Sequence, residues 1–553
     1  MLANNDKNKY EEYGKKCNEY NKAILFSGCA KKVIVSGPGT GKSFLFQMIC
    51  EGIRENEGNK ILVLSFINEL VDDLARDLYK YKTAEVRTLH SFALSQFPKE
   101  TNKFFLNIES IIEEDYKIIN GKEIKFKKTL CNLINDPDAL DFYSKRRKYY
   151  GFFGPNCSVY ALVKQFENNK DKIPEYSQIL IDEFQDFNKL EATLIKLLAE
   201  KSPVLIVGDD DQSLYAFKYA NPDEIRLMNK LQEYTSFELP FCRRCPEVII
   251  NSFHSVVNKA KEKGYLGKRV DKRFEYFPSE EKDKISNENP KIIVKKQIHQ
   301  IAVAYNIEKE INNIFNPKEK DVSILVICSL KKQIPDLEKR LREKGFDNIQ
   351  TTKENEREEL VEGFSLLLKD KESNLGWRIV SKYILNDKLC NVVKESHLKK
   401  EQVKFKDLLC AEDKKKIEIV LTILRKIINN KETSKEESEK IINCFGYNPN
   451  QIVIQKIRNK LDRSKFPKRV NKNIPIKITT ILGAKGFTSD YVFLVNFDDK
   501  YILEKGGKIT DENICKFLVA LTRARRRIYI YTSQTKLPTF VNWIDKDYIQ
   551  LEN

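Results

Sequence analysis

The chain has 553 residues, too many for one core at the usual domain size of roughly 100–200 residues, so several domains are expected. Lysine and arginine number 97 against 80 acidic residues, a formal charge of +17 that favours polyanionic partners, nucleic acid first, and the 41% of hydrophobic residues suffices for packed cores. No apolar run can span a bilayer, the opening Met1-Leu-Ala-Asn-Asn-Asp has no signal-peptide core and the 12 cysteines are scattered, so membrane and disulfide-framework classes are set aside and a reduced, cytoplasmic protein is expected.

Tyr10 to Ile24 reads as a helix leading into Val33-Ile-Val-Ser36-Gly37-Pro38-Gly39-Thr40-Gly41-Lys42-Ser43. A β-branched run, a glycine-rich turn and a Lys-Ser pair opening a helix make a phosphate cradle. Backbone N–H groups and the helix N-terminus face phosphate oxygens, Lys42 reaches the β- and γ-phosphates, and the Ser43 hydroxyl can ligate Mg²⁺. Ser36 stands where the plain pattern has glycine. Ile61 to Phe66 reads as a buried parallel strand, Asn68 to Lys80 as a helix, and Val86 to Phe92 as a short strand carrying Thr88 and His90. Alternating strands and helices indicate an α/β sheet.

From about 100 to 173 the pattern degrades into a helical insertion centred on Lys145-Arg-Arg-Lys-Tyr-Tyr150, which either stacks bases and holds phosphates or is a solvated helix face. Ile179-Leu-Ile-Asp182-Glu183-Phe-Gln-Asp186 resumes the sheet and delivers carboxylates at a strand's C-terminal end, where ligands of open α/β sheets sit. Asp182 suits Mg²⁺ and Glu183 suits polarising the attacking water. Val204 to Lys218 repeats strand then polar loop, placing Gln212 to sense the γ-phosphate, with Tyr215 and Phe217 as core rings or base-stacking platforms.

Cys242-Arg243-Arg244-Cys245 has the spacing of half a zinc site, but no second ligand pair accompanies it and the chain has four widely separated histidines, which favours a structural role. Asp321 to Cys328 and Lys331 to Lys344 read as strand then helix. A second helical insertion follows, in which Ile417, Val420, Leu421, Leu424, Ile427 and Ile428 share one face, with Lys431 to Lys440 as a charged connection. That stripe suits core packing better than a partner surface. Ile478 to Thr480, Tyr491 to Phe497 and Ile528 to Thr532 would complete a second sheet, and nothing after Thr532 suggests a nuclease.

Thr40-Gly41-Lys42-Ser43, Phe66 with Asn68, Thr88-Leu-His90-Ser-Phe92, Asp182-Glu-Phe-Gln-Asp186, Gly208-Asp-Asp-Asp-Gln-Ser-Leu-Tyr215, Arg243-Arg-Cys-Pro246, Thr480-Ile-Leu-Gly-Ala-Lys485-Gly486-Phe and Val519-Ala-Leu-Thr-Arg523-Ala resemble, in order, the motifs of superfamily 1 helicases of the Rep, UvrD and PcrA type. The resemblance implies an α/β fold of two RecA-like domains with parallel sheets: residues 1–100 with 174–238, and 239–351 with 473–553. Each carries a mostly helical insertion, 101–173 and 352–472. It implies ATP and Mg²⁺ as cofactors, with Lys42, Asp182, Glu183, Gln212, Arg244 and Arg523 carrying hydrolysis, and Ser43 and Asp182 holding the metal. Asn21, Gly37, Gly39, Thr40, Gly41, Arg243 and Gly486 complete the nucleotide site. Single-stranded DNA would meet Phe66, Asn68, Thr88, His90, Tyr215, Phe217 and Thr480 and move 3′ to 5′. The chain departs from the family at Asn21 and Arg243, where glutamine and a stacking tyrosine are usual, at Leu482 and Thr488 in place of histidine and glutamate, and at Lys218 in place of arginine. Its compact layout also resembles helicase subunits of bacterial anti-phage systems such as Gabija. A second expectation is therefore a regulatory ATPase gating a nuclease or other effector partner.

Overall fold

The computed structural model describes residues 2–53, 59–66, 68–98, 103–314, 322–351, 358–385, 388–400, 402–445 and 475–552. The chain divides into two compact units. The first, Met1–Phe92 with Val163–Thr352 and Asn471–Asn553, holds both large sheets. The second is Ala93–Leu162 with Lys353–Val470 and is built of helices, so the two inserted segments fold together.

Strands β1 (Lys31–Val35), β2 (Ile61–Ser65), β3 (Ala84–Thr88), β4 (Gln178–Ile181), β5 (Val204–Gly208) and β6 (Thr235–Phe237) form an all-parallel sheet in the order β3-β2-β4-β5-β1-β6. Sequences such as Ile61-Leu-Val-Leu-Ser and Val204-Leu-Ile-Val-Gly, apolar without alternation, suit strands covered on both faces. β1 lies beside β5 in the register Val35 to Gly208, although residues 36–203 separate them in the chain. The loops after β1, β4 and β5 therefore meet at the C-terminal end of three adjacent inner strands.

A parallel ribbon of β7 (Phe241–Cys242) and β8 (Glu275–Tyr276) follows. The second large sheet uses β9 (Ile292–Lys295), β10 (Ile324–Cys328), β11 (Ile349–Thr351), β12 (Ile476–Thr480), β13 (Ser489–Val495), β14 (Ala524–Tyr531) and β15 (Ile549–Glu552). All are parallel, in the order β11-β12-β10-β13-β14-β9-β15. Among the described residues no helix is long and apolar enough to cross a membrane.

Two local readings change and a third holds. β3 ends at Thr88, and His90 and Phe92 lie on the helix Leu89–Ser95, because the Thr88 hydroxyl accepts the Ser91 N–H at 3.1 Å and so caps a new helix. The charged stretch within 431–440 is largely the helix Lys435–Phe445, opened by a reciprocal pair in which Ser434 Oγ accepts the Glu437 N–H and Glu437 accepts the Ser434 N–H, both at 3.1 Å. The stripe at 417–424 lies on the helix Ala411–Ile428 and packs within the second unit's core, with Ile427 and Ile428 against it.

The basic run at 145–150 is not uniformly solvated. Arg146 is fully buried, as are Arg378 and Asp115. Asp115 accepts from Arg146 Nε at 3.1 Å and from Arg378 Nε at 2.8 Å, as well as from the Tyr150 hydroxyl, and Arg146 also reaches Ser396 at 2.9 Å. The pair joins helices from both inserted segments through one carboxylate. Burial works to raise the Asp115 pKa, but the two guanidiniums outweigh it and hold the group below its ordinary value. Asp115→Ala leaves two buried cations without their shared acceptor and is expected to cost about 3–5 kcal/mol in urea unfolding of the second unit.

Nearby, Glu109 accepts the N–H groups of Asn156 and Cys157, at 3.0 and 3.2 Å. Burial raises it to about 6 from 4.5. The folded state thus holds a proton that the unfolded chain loses between those values, and stability falls as pH rises through them. The destabilisation, about 2 kcal/mol between pH 4 and 7, should disappear in Glu109→Gln when urea midpoints are compared across that range.

Candidate active site

The loop after β1 turns at Gly39 and Gly41, whose φ angles are +70° and +92°, and the helix Lys42–Gly52 starts directly after Gly41. A side chain at either turn would be strained, and two of the loop's glycines also face immovable neighbours. A β-carbon on Gly37 would lie 2.3 Å from the Phe274 ring, and one on Gly39 would lie 2.4 Å from Arg244 Cβ. Ser36 fits in place of glycine: it is buried, and its hydroxyl accepts from Thr40 at 3.1 Å. Thr40 also donates to Gly37 O at 3.0 Å, and Lys42 Nζ lies on the same carbonyl at 3.3 Å.

β4 hands its end to the acids. The Asp182 N–H donates to Leu64 O at 2.9 Å, and Glu183 sits in the left-handed region with φ +54°, fixing its departure from the strand. Gln185 holds Glu183 with its amide N–H and accepts the Asp209 N–H at 2.9 Å, tying the β4 and β5 loops together. Burial and the adjacent Glu183 push Asp182 up to about 7. Glu183 goes the other way, because Lys485 and Lys42 overcome its own burial. Burial raises Asp186 to about 7 even with Lys485 against it. Lys485, from the loop after β12, also donates to Gln212 O at 2.5 Å.

Gln212 is buried, with its amide N–H on Asp209 at 2.6 Å and its Oε1 accepting from Arg523 Nη2 at 2.7 Å. Arg523 is buried too, and burial with Arg244 nearby lowers it to about 10, still a cation at neutral pH. Burial works to raise Asp209, but Lys272 and Lys42 hold it at about 2.

One cavity of about 630 Å³ is lined by Gly39, Thr40, Gly41, Lys42, Ser43, Asp182, Glu183 and Gln212 on the first sheet's side and by Arg244, Gly486 and Arg523 on the other. Arg243 lines it as well; its guanidinium donates to Cys17 Sγ at 3.1 Å and lies 4.8 Å from the Phe277 ring centre and 5.8 Å from that of Phe44. Gly37 shapes the cradle from behind the lining, and Asn21 is buried without lining the cavity. Thr488 lines it and accepts from Arg525 at 2.9 Å, so a cation occupies the surroundings of the position where a glutamate was expected. Ser43 and Asp182, both hard oxygen donors on this cavity, fit a Mg²⁺ ion.

The expected DNA contacts scatter more. Phe66 and Tyr215 are buried with ring centres 4.9 Å apart, Phe66 also meets Phe187, and Lys218 Nζ lies 5.1 Å from both. In this arrangement they pack as core rings. His90 approaches Glu191 at 3.2 Å, Asn68 is exposed, Thr88 caps its helix, and Thr480 lines a separate cavity of about 380 Å³ with Leu482. The side chain of Phe217 lies outside the described residues. Cys242 and Cys245 are both buried, the Cys245 N–H donates to Cys242 Sγ at 3.3 Å, and neither belongs to a group of three metal-ligating side chains among the described residues. Such a group does occur at Asp209, Asp210 and Asp211, but Lys272 Nζ already sits within 2.9 Å of all three. Sequence reasoning had not singled out Asp209, Lys272 or Lys485 as site residues; Asp209 and Lys485 stood inside recognised motifs and Lys272 in none.

Two family models match the chain: an AAA domain over residues 21–218 and a UvrD-like helicase C-terminal domain over residues 358–535. Among similar proteins, the ATP-dependent DNA helicase Rep of Buchnera aphidicola is 28% identical over 36% of this chain and 38% of its own length. A "Probable DNA helicase II homolog" of Mycoplasma capricolum is 22% identical over 96% of this chain and 77% of its own. An ATP-dependent helicase/nuclease subunit of Lactobacillus helveticus is 28% identical over 28% of this chain and 13% of its own. The chain thus spans well under half of the Rep relative. With one model over the cradle and its acids and the other over the opposing lysine and arginine, the chain belongs to the UvrD/Rep-type superfamily 1 helicase family.

Proposed function

We propose that this protein is a cytoplasmic, DNA-stimulated ATPase that moves 3′ to 5′ along single-stranded DNA and opens duplex ahead of it. The observation that carries the reading is the single cavity in which Lys42, Ser43, Asp182, Glu183 and Gln212 face Arg244 and Arg523. Residues 1–100 with 174–238 serve as the first ATPase domain and 239–351 with 473–553 as the second, so that hydrolysis needs both. The cradle amides and Lys42 bind the phosphates, Ser43 and Asp182 would hold a Mg²⁺ ion, whose charge would offset that of the phosphates, and Glu183 takes the proton of the attacking water. Its lowered pKa keeps Glu183 ionised and able to do so. Arg523 exchanges its contact on Gln212 Oε1 for the transferring phosphoryl group, and a planar, permanently charged guanidinium suits that spread charge.

A second reading is a regulatory protein whose nucleotide-driven closure gates a nuclease, as in compact anti-phage assemblies. It is favoured by the substitutions at Arg243 and Thr488, which alter the surroundings of the nucleotide, and by a relative whose name joins helicase and nuclease. ATP turnover that is indifferent to DNA, with a nuclease copurifying, would support it over the motor.

Glu183→Gln should keep nucleotide affinity while turnover falls by about 10²-fold or more. Arg523→Ala should cost about 10³-fold. Both are read as phosphate release with and without a single-stranded oligonucleotide; retained turnover in either variant removes that residue from the mechanism. Unwinding of 3′-tailed but not 5′-tailed duplex checks the direction.

A further inference from the structure

The loop over residues 263–274, between the helix Glu247–Glu262 and β8, carries two buried cations, Arg269 and Lys272, that the proposed hydrolysis does not use. The Lys272 side chain is 3% exposed, and its ammonium lies 2.6 Å from Asp209, 2.5 Å from Asp210 and 2.9 Å from Asp211. Arg269 reaches Asp211 at 2.8 Å, the Val270 N–H donates to Asp210 at 2.9 Å, and Arg226 reaches Asp210 at 3.0 Å. Three buried carboxylates are thus met by three cations, two of them from one loop.

We propose that Lys272 is a positioning residue for ATP hydrolysis, fixing Asp209 so that Gln212 and Arg523 stand correctly toward the γ-phosphate. This rests on the ATPase reading above. Asp209 receives Lys272 on Oδ1 and the Gln212 amide N–H on Oδ2, at 2.6 Å each. An ionised carboxylate only accepts and a guanidinium only donates. Gln212, between Asp209 and Arg523, therefore has one allowed amide orientation, with its nitrogen toward the acid and its oxygen toward the arginine.

Removing the lysine charge leaves three adjacent carboxylates with two cations, which favours protonation of one of them. A protonated Asp209 can donate, and the amide orientation is no longer imposed. The same loop also bears on the cradle and on the opposing arginine. Phe274 packs on Gly37, and β8 pairs with β7, whose next residues are Arg243 and Arg244. Since buried ion pairs separate only at large cost, the sensor loop and the β7–β8 ribbon move as one piece.

The test uses the full chain with a single-stranded oligonucleotide. Lys272→Met should lower DNA-stimulated turnover at least ten-fold while the affinity for a fluorescent ATP analogue changes less than three-fold. In a Gln212→Ala background, the same substitution should lower turnover less than two-fold, because its effect passes through Gln212. Equal losses in both backgrounds, or unchanged turnover in the single variant, would overturn the proposal. Should Lys272→Met fail to fold, Asp209→Asn, which keeps the volume but lets the amide turn, is expected to give the same kcat loss and the same dependence on Gln212; wild-type turnover in it would overturn the proposal equally. Wild-type protein without DNA-stimulated turnover would instead sink the ATPase reading itself.

Discussion

The missing β-carbons of Gly37 and Gly39 set how closely the rest of this site can assemble. At those positions an alanine methyl would overlap the Phe274 ring or Arg244 Cβ by more than either can yield without moving backbone. The close approach also lets the Arg243 N–H donate to Gly39 O at 2.8 Å, so the ribbon that follows the first sheet is pinned to the phosphate loop through main chain. Arg244 then faces the cavity as a consequence of backbone geometry, and its placement does not rest on a long side chain finding its own way. The positive φ of Gly39 and Gly41 and the bulk of Phe274 and Arg244 are two independent reasons for the same residue type.

Once those surfaces meet, electrostatics does the rest of the ordering. Asp182, Asp186, Asp209, Asp210 and Asp211 are all buried and close to Lys42, Lys485, Lys272, Arg269 and Arg523. Charges taken out of water must find partners or neutralise. Asp209, held by Lys272 and Lys42, stays firmly ionised, whereas burial lifts Asp182 to about 7, and Asp186 as well even with Lys485 against it. A site with fixed dipoles and a carboxylate short of positive charge is prepared for a divalent ion and a polyphosphate, because the reorganisation is already done by folding.

The sequence was most readable where the chemistry is local. The cradle is a contiguous string, and the acids at 182–183 follow an unbroken apolar run, so pattern alone placed both at strand ends that the sheet order brings together. Less was visible where a partner decides. β15 contains two apolar residues in four and forms by pairing with β9, more than two hundred residues earlier in the chain, which no local window registers. Arg146 looked like one more cation of a basic helix until Asp115 and Arg378 surrounded it. Lys272 belongs to an ordinary basic stretch, and only the loop's return to the β5 end gives it three acids. The capping pairs at Thr88 and Ser434 were legible in principle and overridden by β-branching and charge.

Three cations at the cleft have protein partners: Lys42 on Gly37 O, Arg523 on Gln212 Oε1, Lys485 on Asp186 and Gln212 O. These are not equivalent contacts. Lys42 and Arg523 rest on neutral oxygens, which a phosphate outcompetes because an anionic acceptor adds charge–charge attraction that a neutral oxygen cannot supply. Lys485 and Lys272 rest on carboxylates, and a phosphate offers them little gain. The cleft therefore sorts its positive charges into a pair free to transfer to substrate and a pair that stays with the protein. That division, more than the inventory of charged residues, allows the site to respond to a triphosphate without losing the framework that holds it.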